Sequence, residues 1–238
     1  KFESQILNND YEDIIMNIKE FENVQKFKIM PNDEGTDDVR FRELSWLAKY
    51  LPSWGLNLEF GVYSGNSINC LATAAPELDF YGFDSFTGLP EDWDTGEKQV
   101  KKEAFSLDGN LPEVVDNVTL IKGQFEDTIP TFLKNTYPNV MPISYMHIDC
   151  DLYSSTNTIL KLCDSKVVPG TIIRFDELAC WRSVFGEASP TGSASRVLYS
   201  KWTEHEWKAL NEWLEEFDRK VIPLSRNWFQ GGTVMVTQ

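Results

Sequence analysis

The chain is short of positive charge. Its 238 residues carry 22 Lys and Arg against 37 Asp and Glu, with only 2 His, for a formal net charge of −15 at pH 7. The acids are spread along the chain and no basic run interrupts them. A phosphate backbone or an anionic membrane surface would be repelled on approach, which argues against nucleic acid and against a membrane as partners. Long apolar runs are missing too: none approaches the roughly 20 residues that a membrane span requires. The N-terminal stretch is too polar for a secretory leader. Cysteines are few, and Cys70, Cys150, Cys163 and Cys180 form no CxxC pair. They lie in apolar or strand-like stretches, as reduced, buried thiols of a cytoplasmic protein do. There is no internal repeat and no low-complexity tract.

What the chain does have is core-forming material, 42% hydrophobic residues and 13% aromatics, enough for one large domain. Through about Lys28, the apolar residues Ile6, Leu7, Ile14, Ile15, Ile18 and Phe21 have amphipathic helical spacing. A break at Ile29 to Gly35 is followed by a second helix from about Asp37 to Leu51, acidic in its first turn, with Pro52 just past its end. Residues 1–52 are therefore expected as an N-terminal helical arm, covering a sheet face or lying over an active-site mouth as a lid. Such an arm would suit a homodimer.

From Leu56 onward, short apolar runs alternate with helical stretches, the pattern of a βαβ series with a parallel sheet. Strands are expected at Leu56–Phe60, Asp79–Phe83, Val118–Lys122, Ile143–Ile148 and Thr171–Phe175. Two more, Lys220–Pro223 and Gly232–Val236, lie too close together for a crossover helix and should form an antiparallel hairpin. The expectation for residues 53–238 is a mostly parallel seven-stranded sheet closed by that C-terminal hairpin, with helices on both faces. The least regular stretch, Ser85–Asn110, follows the second strand and is a candidate wall for a pocket.

The strongest local signal joins the first strand to a helix beginning near Ser67: Glu59-Phe60-Gly61-Val62-Tyr63-Ser64-Gly65-Asn66-Ser67. A sharp strand-to-helix turn needs glycine where the backbone passes close to a ligand or adopts positive φ, and Gly61 and Gly65 are placed for that. The turn's amides, from Tyr63 through Asn66, then face the ligand. Glu59 stands where a phosphate-cradling glycine would, and an acid suits a ligand with a cationic amino-acid portion better than a pyrophosphate. Asp84, followed by Ser85, ends the second strand nineteen residues beyond Gly65. That is close to the offset of about 20 at which an acid accepts hydrogen bonds from ribose hydroxyls. After the third strand, Gln124 and Phe125 could border an adenine, by a hydrogen bond and a stacking face respectively.

A second constellation is His147-Ile148-Asp149-Cys150-Asp151 at the end of the fourth strand and Asp176-Glu177 at the end of the fifth. If those strands are neighbours their tips lie roughly 5 Å apart, and four acids converge. Mutual repulsion and desolvation then call for a neutralising cation or a shared proton. Oxygen-only ligands favour a hard octahedral ion, Mg²⁺ first and Mn²⁺ or Ca²⁺ as substitutes.

The stretches EFGVYSGNS, GFDSFTGLPEDW, HIDCDLYSST and GTIIRFDE, in this order over roughly residues 56–236, resemble the macrocin O-methyltransferase family. That family includes metal-dependent methyltransferases of macrolide sugars and of aminocoumarin antibiotics. The resemblance implies a Rossmann-like class I methyltransferase fold with the N-terminal helices as a mobile lid. It implies S-adenosylmethionine held by the Glu59–Ser67 turn and Asp84, with Asp149 bordering it. It also implies a divalent metal on Asp149, Asp176 and Glu177, and Asp151, with Asp149 beside it, as the catalytic base on a small-molecule hydroxyl. Glu177 stands where the family more often has a second aspartate. Two other classes compete: a nicotinamide-dependent oxidoreductase, which predicts a GxGxxG turn that Glu59–Gly65 does not match, and a binding module that holds the nucleotide without catalysis. Among other residues, Asp151 could instead cap the helix that follows it. His147 suits a core histidine, His205 a solvated surface position, and Trp202, Trp207 and Trp213 a helix packed on the sheet.

Overall fold

The computed structural model describes residues 16–28, 36–135, 141–186 and 199–238. Ten strands and six α-helices are found there: β1 (Gln25–Phe27), α1 (Thr36–Leu47), β2 (Leu56–Phe60), α2 (Asn66–Ala74), β3 (Phe80–Asp84), β4 (Trp93–Asp94), β5 (Gln99–Val100), β6 (Val118–Lys122), α3 (Phe125–Asn135), β7 (Ile143–Ile148), α4 (Tyr153–Cys163), β8 (Val167–Phe175), α5 (Trp181–Phe185), α6 (Glu206–Glu216), β9 (Val221–Asn227) and β10 (Gly232–Val236). Eight strands form one sheet in the order β1-β9-β10-β8-β7-β2-β3-β6. Only β10 runs against its neighbours, antiparallel to both β8 and β9. This is the expected layout with one strand added.

The addition is β1. The helix expected through Lys28 falls partly on residues 1–15, outside the described residues. Its described end is a 3₁₀ turn, Ile18–Asn23, and then β1, which pairs in parallel with β9. Tertiary packing outweighs the helical spacing here: Phe21 is fully buried, with its ring 4.8 Å from that of Trp181. The free edge of β9 then takes up the next three residues.

Every residue of β2 and β7 is buried, as a parallel sheet covered on both faces requires. Strand alternation divides the interior into two cores. Leu58, Phe60, Met146, Ile148, Ile173 and Phe175 face α4 and α6. Tyr145, Ile172 and Phe80 face α1 and α2 through Leu44, Ile68 and Leu71. Trp207 and Trp213 sit in the first of these cores, as expected, and Trp213 Nε1 donates to Asp164 Oδ1 at 3.0 Å. The four cysteines are all free, three of them buried.

Candidate active site

The chain closes the site by bringing three strand tips together. The Asp149 amide donates to the Phe60 carbonyl at 2.9 Å, and the Asp176 amide to the Ile148 carbonyl at 3.0 Å. The tips of β2, β7 and β8 are thus immediate neighbours. Gly61 turns the chain out of β2 at φ +88, and a Cβ there would lie 1.8 Å from the Asp149 carbonyl oxygen. Only glycine fits so close an approach. Gly65, at φ +81, is the N-cap of α2. Asp84 clasps the turn: its Oδ2 accepts from the Val62 and Tyr63 amides, both at 2.8 Å, and its Oδ1 from the Phe86 amide at 2.7 Å. One lone pair of Oδ1 is left for a ligand hydroxyl.

This turn is one wall of a cleft of about 860 Å³, within the usual range for a small-molecule site. Of the residues expected to hold the nucleotide, Gly61, Tyr63, Ser64, Asn66, Ser67, Asp84, Ser85, Gln124, Phe125 and Asp149 line it. A strand-to-helix turn of glycines and hydroxyls, an acid with a spare acceptor, and an aromatic with a neighbouring amide suit a nucleoside with an amino-acid tail. Asp151 and Glu177 line the cleft as well. The opposite wall comes from Ser85–Asn110, as expected, with Leu89, Trp93 and Lys98 contributing. Within that stretch, β4 and β5 form a small hairpin.

Glu59 and Gly65 do not line the cleft. Glu59 is 1% exposed and points across the sheet: its Oε1 accepts from Ser67 Oγ at 2.9 Å and its Oε2 meets His147 Nδ1 at 2.7 Å. The strand register explains this. Glu59 is paired with His147, His147 with Arg174, Arg174 with Thr233, and Thr233 with Ser225. A row of polar side chains therefore crosses five strands on the face under α1. Arg174 donates to His147 Nε2 and to Asp176 Oδ1, both at 2.6 Å. The guanidinium can only donate, which favours the His147 tautomer with its proton on Nδ1, toward Glu59; against the lowering by burial, the Glu59 carboxylate also raises the imidazole's pKa.

Helix α1 locks onto this row with two residues one turn apart. The fully buried Glu43 accepts from Ser225 Oγ and Asn227 Nδ2, both at 2.9 Å, and from Arg174 at 3.3 Å. Arg40 reaches past it to the strand tips, 2.7 Å from Asp176 Oδ2 and 3.5 Å from Asp149 Oδ2, and lines the cleft. The described part of the expected arm is thus fastened to the sheet. Sequence reasoning missed both contacts.

The charges at the tips differ sharply in their surroundings. Burial alone would raise Asp176, yet Arg40 and Arg174 hold its carboxyl well below the usual range. Asp149 is pushed up to about 7 by burial and by the Asp176 charge. Asp151 is raised well above the ordinary value by burial and then by Asp149 and Asp176. Glu177 is raised by burial and by the three aspartates, and its Oε2 has no hydrogen-bond partner among the described residues. Glu206 on α6, missed from the sequence, accepts from the Glu177 amide at 2.9 Å and is raised by burial as well.

His205 is not a solvated surface residue. It is half buried, its Nε2 is 3.0 Å from the Asp94 carbonyl oxygen, and its ring stacks on Tyr199. The hairpin β4–β5 packs against it through Trp93 and Asp94 and shields part of it from water.

A divalent ion needs oxygens that no other cation holds. Both oxygens of Asp176 are held by guanidinium groups, and one of these also reaches Asp149. The three expected ligands do not form one group. Among the described residues, the potential ligand atoms lying within 4.8 Å of one another come from His147, Asp149 and Asp176. Both ring nitrogens of His147 are already in use. As arranged, Asp149, Asp176 and Glu177 do not fit an Mg²⁺ site.

Comparison with known proteins adds two findings. A family model described as a methyltransferase domain matches residues 58–178, just over half of the chain. Among solved structures, the chain is similar to CalS11, a calicheamicin methyltransferase, at 20% identity over 84% of this chain and 78% of that one, with a TM-score of 0.56. The apo form of CalS11, described as a TDP-rhamnose 3'-O-methyltransferase, matches at 21% identity over 84% and 79%, with a TM-score of 0.50. TomG, an O-methyltransferase of tomaymycin synthesis from Streptomyces achromogenes in complex with SAM, matches at 17% identity over 87% and 83%, with a TM-score of 0.52. At such identities the likeness is one of fold. No curated protein matches the chain.

Proposed function

Because the chain belongs to the methyltransferase-domain family, we propose that it methylates a hydroxyl group of a small polyhydroxylated acceptor, a sugar or a sugar-bearing natural product, from S-adenosylmethionine. The observation that carries this reading is the place of Asp151. It sits in the cleft that the glycine turn opens into, on a left-handed backbone at φ +62, beside the two other aspartates of the strand tips. The resemblance to the macrocin family and the sugar nucleotide named for CalS11 favour a sugar over other hydroxyl acceptors.

S-adenosylmethionine supplies an electrophilic methyl group on a sulfonium. The protein's part is to orient and to move a proton. Asp84 and the Gly61–Ser67 turn fix the nucleotide's end of the cleft, and orientation of this kind can be worth several kcal/mol. Asp151 takes the proton of the acceptor hydroxyl as the oxygen–carbon bond forms and the carbon–sulfur bond breaks, with the electron pair passing to sulfur. Its raised pKa makes it a stronger base than an ordinary aspartate. Binding S-adenosylhomocysteine but not NADH, by calorimetry, would exclude the oxidoreductase reading. Asp151→Asn should lower kcat by about 10²–10⁴ and leave S-adenosylhomocysteine affinity nearly unchanged. The assay is mass spectrometry of a cell extract incubated with protein and labelled cofactor, for a product heavier by one methyl group. Full turnover by Asp151→Asn would remove it as the base.

A further inference from the structure

We infer that Arg40 is the resident cation of this site: its guanidinium does for Asp149 and Asp176 what a divalent ion would do, and methyl transfer here runs without a metal. The inference rests on the O-methyltransferase reading above and departs from what the family resemblance implies. Arg40 stands 2.7 Å from Asp176 Oδ2 and 3.5 Å from Asp149 Oδ2, on carboxylates from two adjacent strand tips. Arg174 takes the other oxygen of Asp176 from within the sheet at 2.6 Å. Of the three expected ligands, Asp149 and Asp176 give oxygens to guanidinium groups instead of an ion.

Arg40 is also held in place. Glu43, three residues on and so on the same helix face, is tied to Ser225, Asn227 and Arg174. These bonds fix the rotation of α1 about its axis, and with it the point where Arg40 enters the cleft. A guanidinium stays protonated at every working pH and grips carboxylates with several donors. Arg40 therefore acts as a positioning residue through Asp149 and Asp176. It holds the Asp149 and Asp176 carboxylates in place beside Asp151, the group that takes the proton leaving the acceptor. The reaction balances without a metal: one O–H and one C–S bond break, one O–C and one carboxylate O–H bond form.

The test uses the full chain stripped of metals by a chelator and titrated with Mn²⁺, with the free ion followed by electron paramagnetic resonance. S-adenosylhomocysteine calorimetry on each sample shows that the cleft is folded. Wild type should take up no stoichiometric Mn²⁺ in the micromolar range. Arg40→Ala should gain at least about tenfold in Mn²⁺ affinity, because two crowded carboxylates lose their competing cation. Arg40→Lys, which keeps a charge, should stay as poor a binder as wild type. A structural role alone would not create metal affinity. Uptake of one Mn²⁺ per chain with micromolar affinity by wild type overturns the proposal, as does an Arg40→Ala protein that still binds S-adenosylhomocysteine and gains no Mn²⁺ affinity. If Arg40→Ala does not fold, wild type and Arg40→Lys decide: uptake by either overturns it, and uptake by neither upholds it. Failure of wild type to bind S-adenosylhomocysteine would sink the methyltransferase reading instead, a separate result.

Discussion

Replacing Gly61 with alanine should be among the most damaging single-methyl changes in this protein, and the cost can be worked out from three glycines. An added Cβ at Gly61 would lie 1.8 Å from the Asp149 carbonyl oxygen and 2.7 Å from its carbon. Both are backbone atoms, so no side chain can swing aside. Reaching ordinary contact would part the tips of β2 and β7 by roughly 1.5 Å and break the bond from the Asp149 amide to Phe60. The positive φ costs about 1–2 kcal/mol, the overpacking about 1–3 and the lost bond about 1. The sum of about 3–6 kcal/mol is a large part of a typical 5–15 kcal/mol stability. Gly65 has the same backbone sign at φ +81 but neighbours no closer than 3.4 Å, and Gly186, at φ +64, has nothing within 4 Å among the described residues. Alanine at either should cost only the backbone part, about 1–2 kcal/mol. Urea unfolding followed by tryptophan fluorescence gives all three values. If Gly61→Ala loses no more than the other two, the close approach of the strand tips is not what the glycine serves.

Stability should also depend on pH through Asp149. Its pKa is raised from 3.8 to about 7, so the folded chain keeps a proton that the unfolded chain releases. Stability then falls as pH rises through that window, and Asp149→Asn should flatten the fall. The difference is a few kcal/mol at most, because the side chain keeps 21% exposure and each pKa unit is worth about 1.4 kcal/mol. Thermal melts between pH 5 and 8 measure it, and a variant as steep as wild type would remove Asp149 as the source. Glu59→Ala should cost about 2–6 kcal/mol, because it leaves the Nδ1 proton of His147 and the Ser67 hydroxyl buried without an acceptor, at about 1–3 kcal/mol each. A loss below about 1 kcal/mol in urea would show that the polar row does not depend on Glu59.

The sheet was legible because parallel strands buried on both faces read as continuous apolar runs. The five parallel strands fell within a few residues of their observed ends, and the spacing of the last two implied the reversed β10. What escaped was structure made by a neighbour. Gln25-Lys26-Phe27 has no strand pattern of its own and pairs only because β9 offers an edge. The hairpin β4–β5 has two residues a side, and its turn is set by Thr95 and Lys98 bonding to each other. His205 looked solvated because nothing local says that Asp94 and Tyr199 fold over it.

The active-site acids were legible individually because carboxylates at strand tips announce themselves. Their electrostatic state was not, because it depends on register and on distant arginines. Glu59, His147, Arg174, Thr233 and Ser225 each read as one polar residue in its own strand, and only the pairing aligns them. Arg40 lies 136 residues from Asp176 in sequence. A weaker signal was available: Arg40 and Glu43 share a helix with buried Val39, Leu44 and Leu47, and charges among core positions need partners. The arginines also account for a contrast between two consecutive residues. Asp176 touches two guanidinium groups and is held far down, while Glu177 touches none among the described residues and is pushed up. Both are buried, so burial cannot separate them. In a chain with an excess of fifteen negative charges, the fold places two of its few cations on one carboxylate, and the buried acids around it have raised proton affinity.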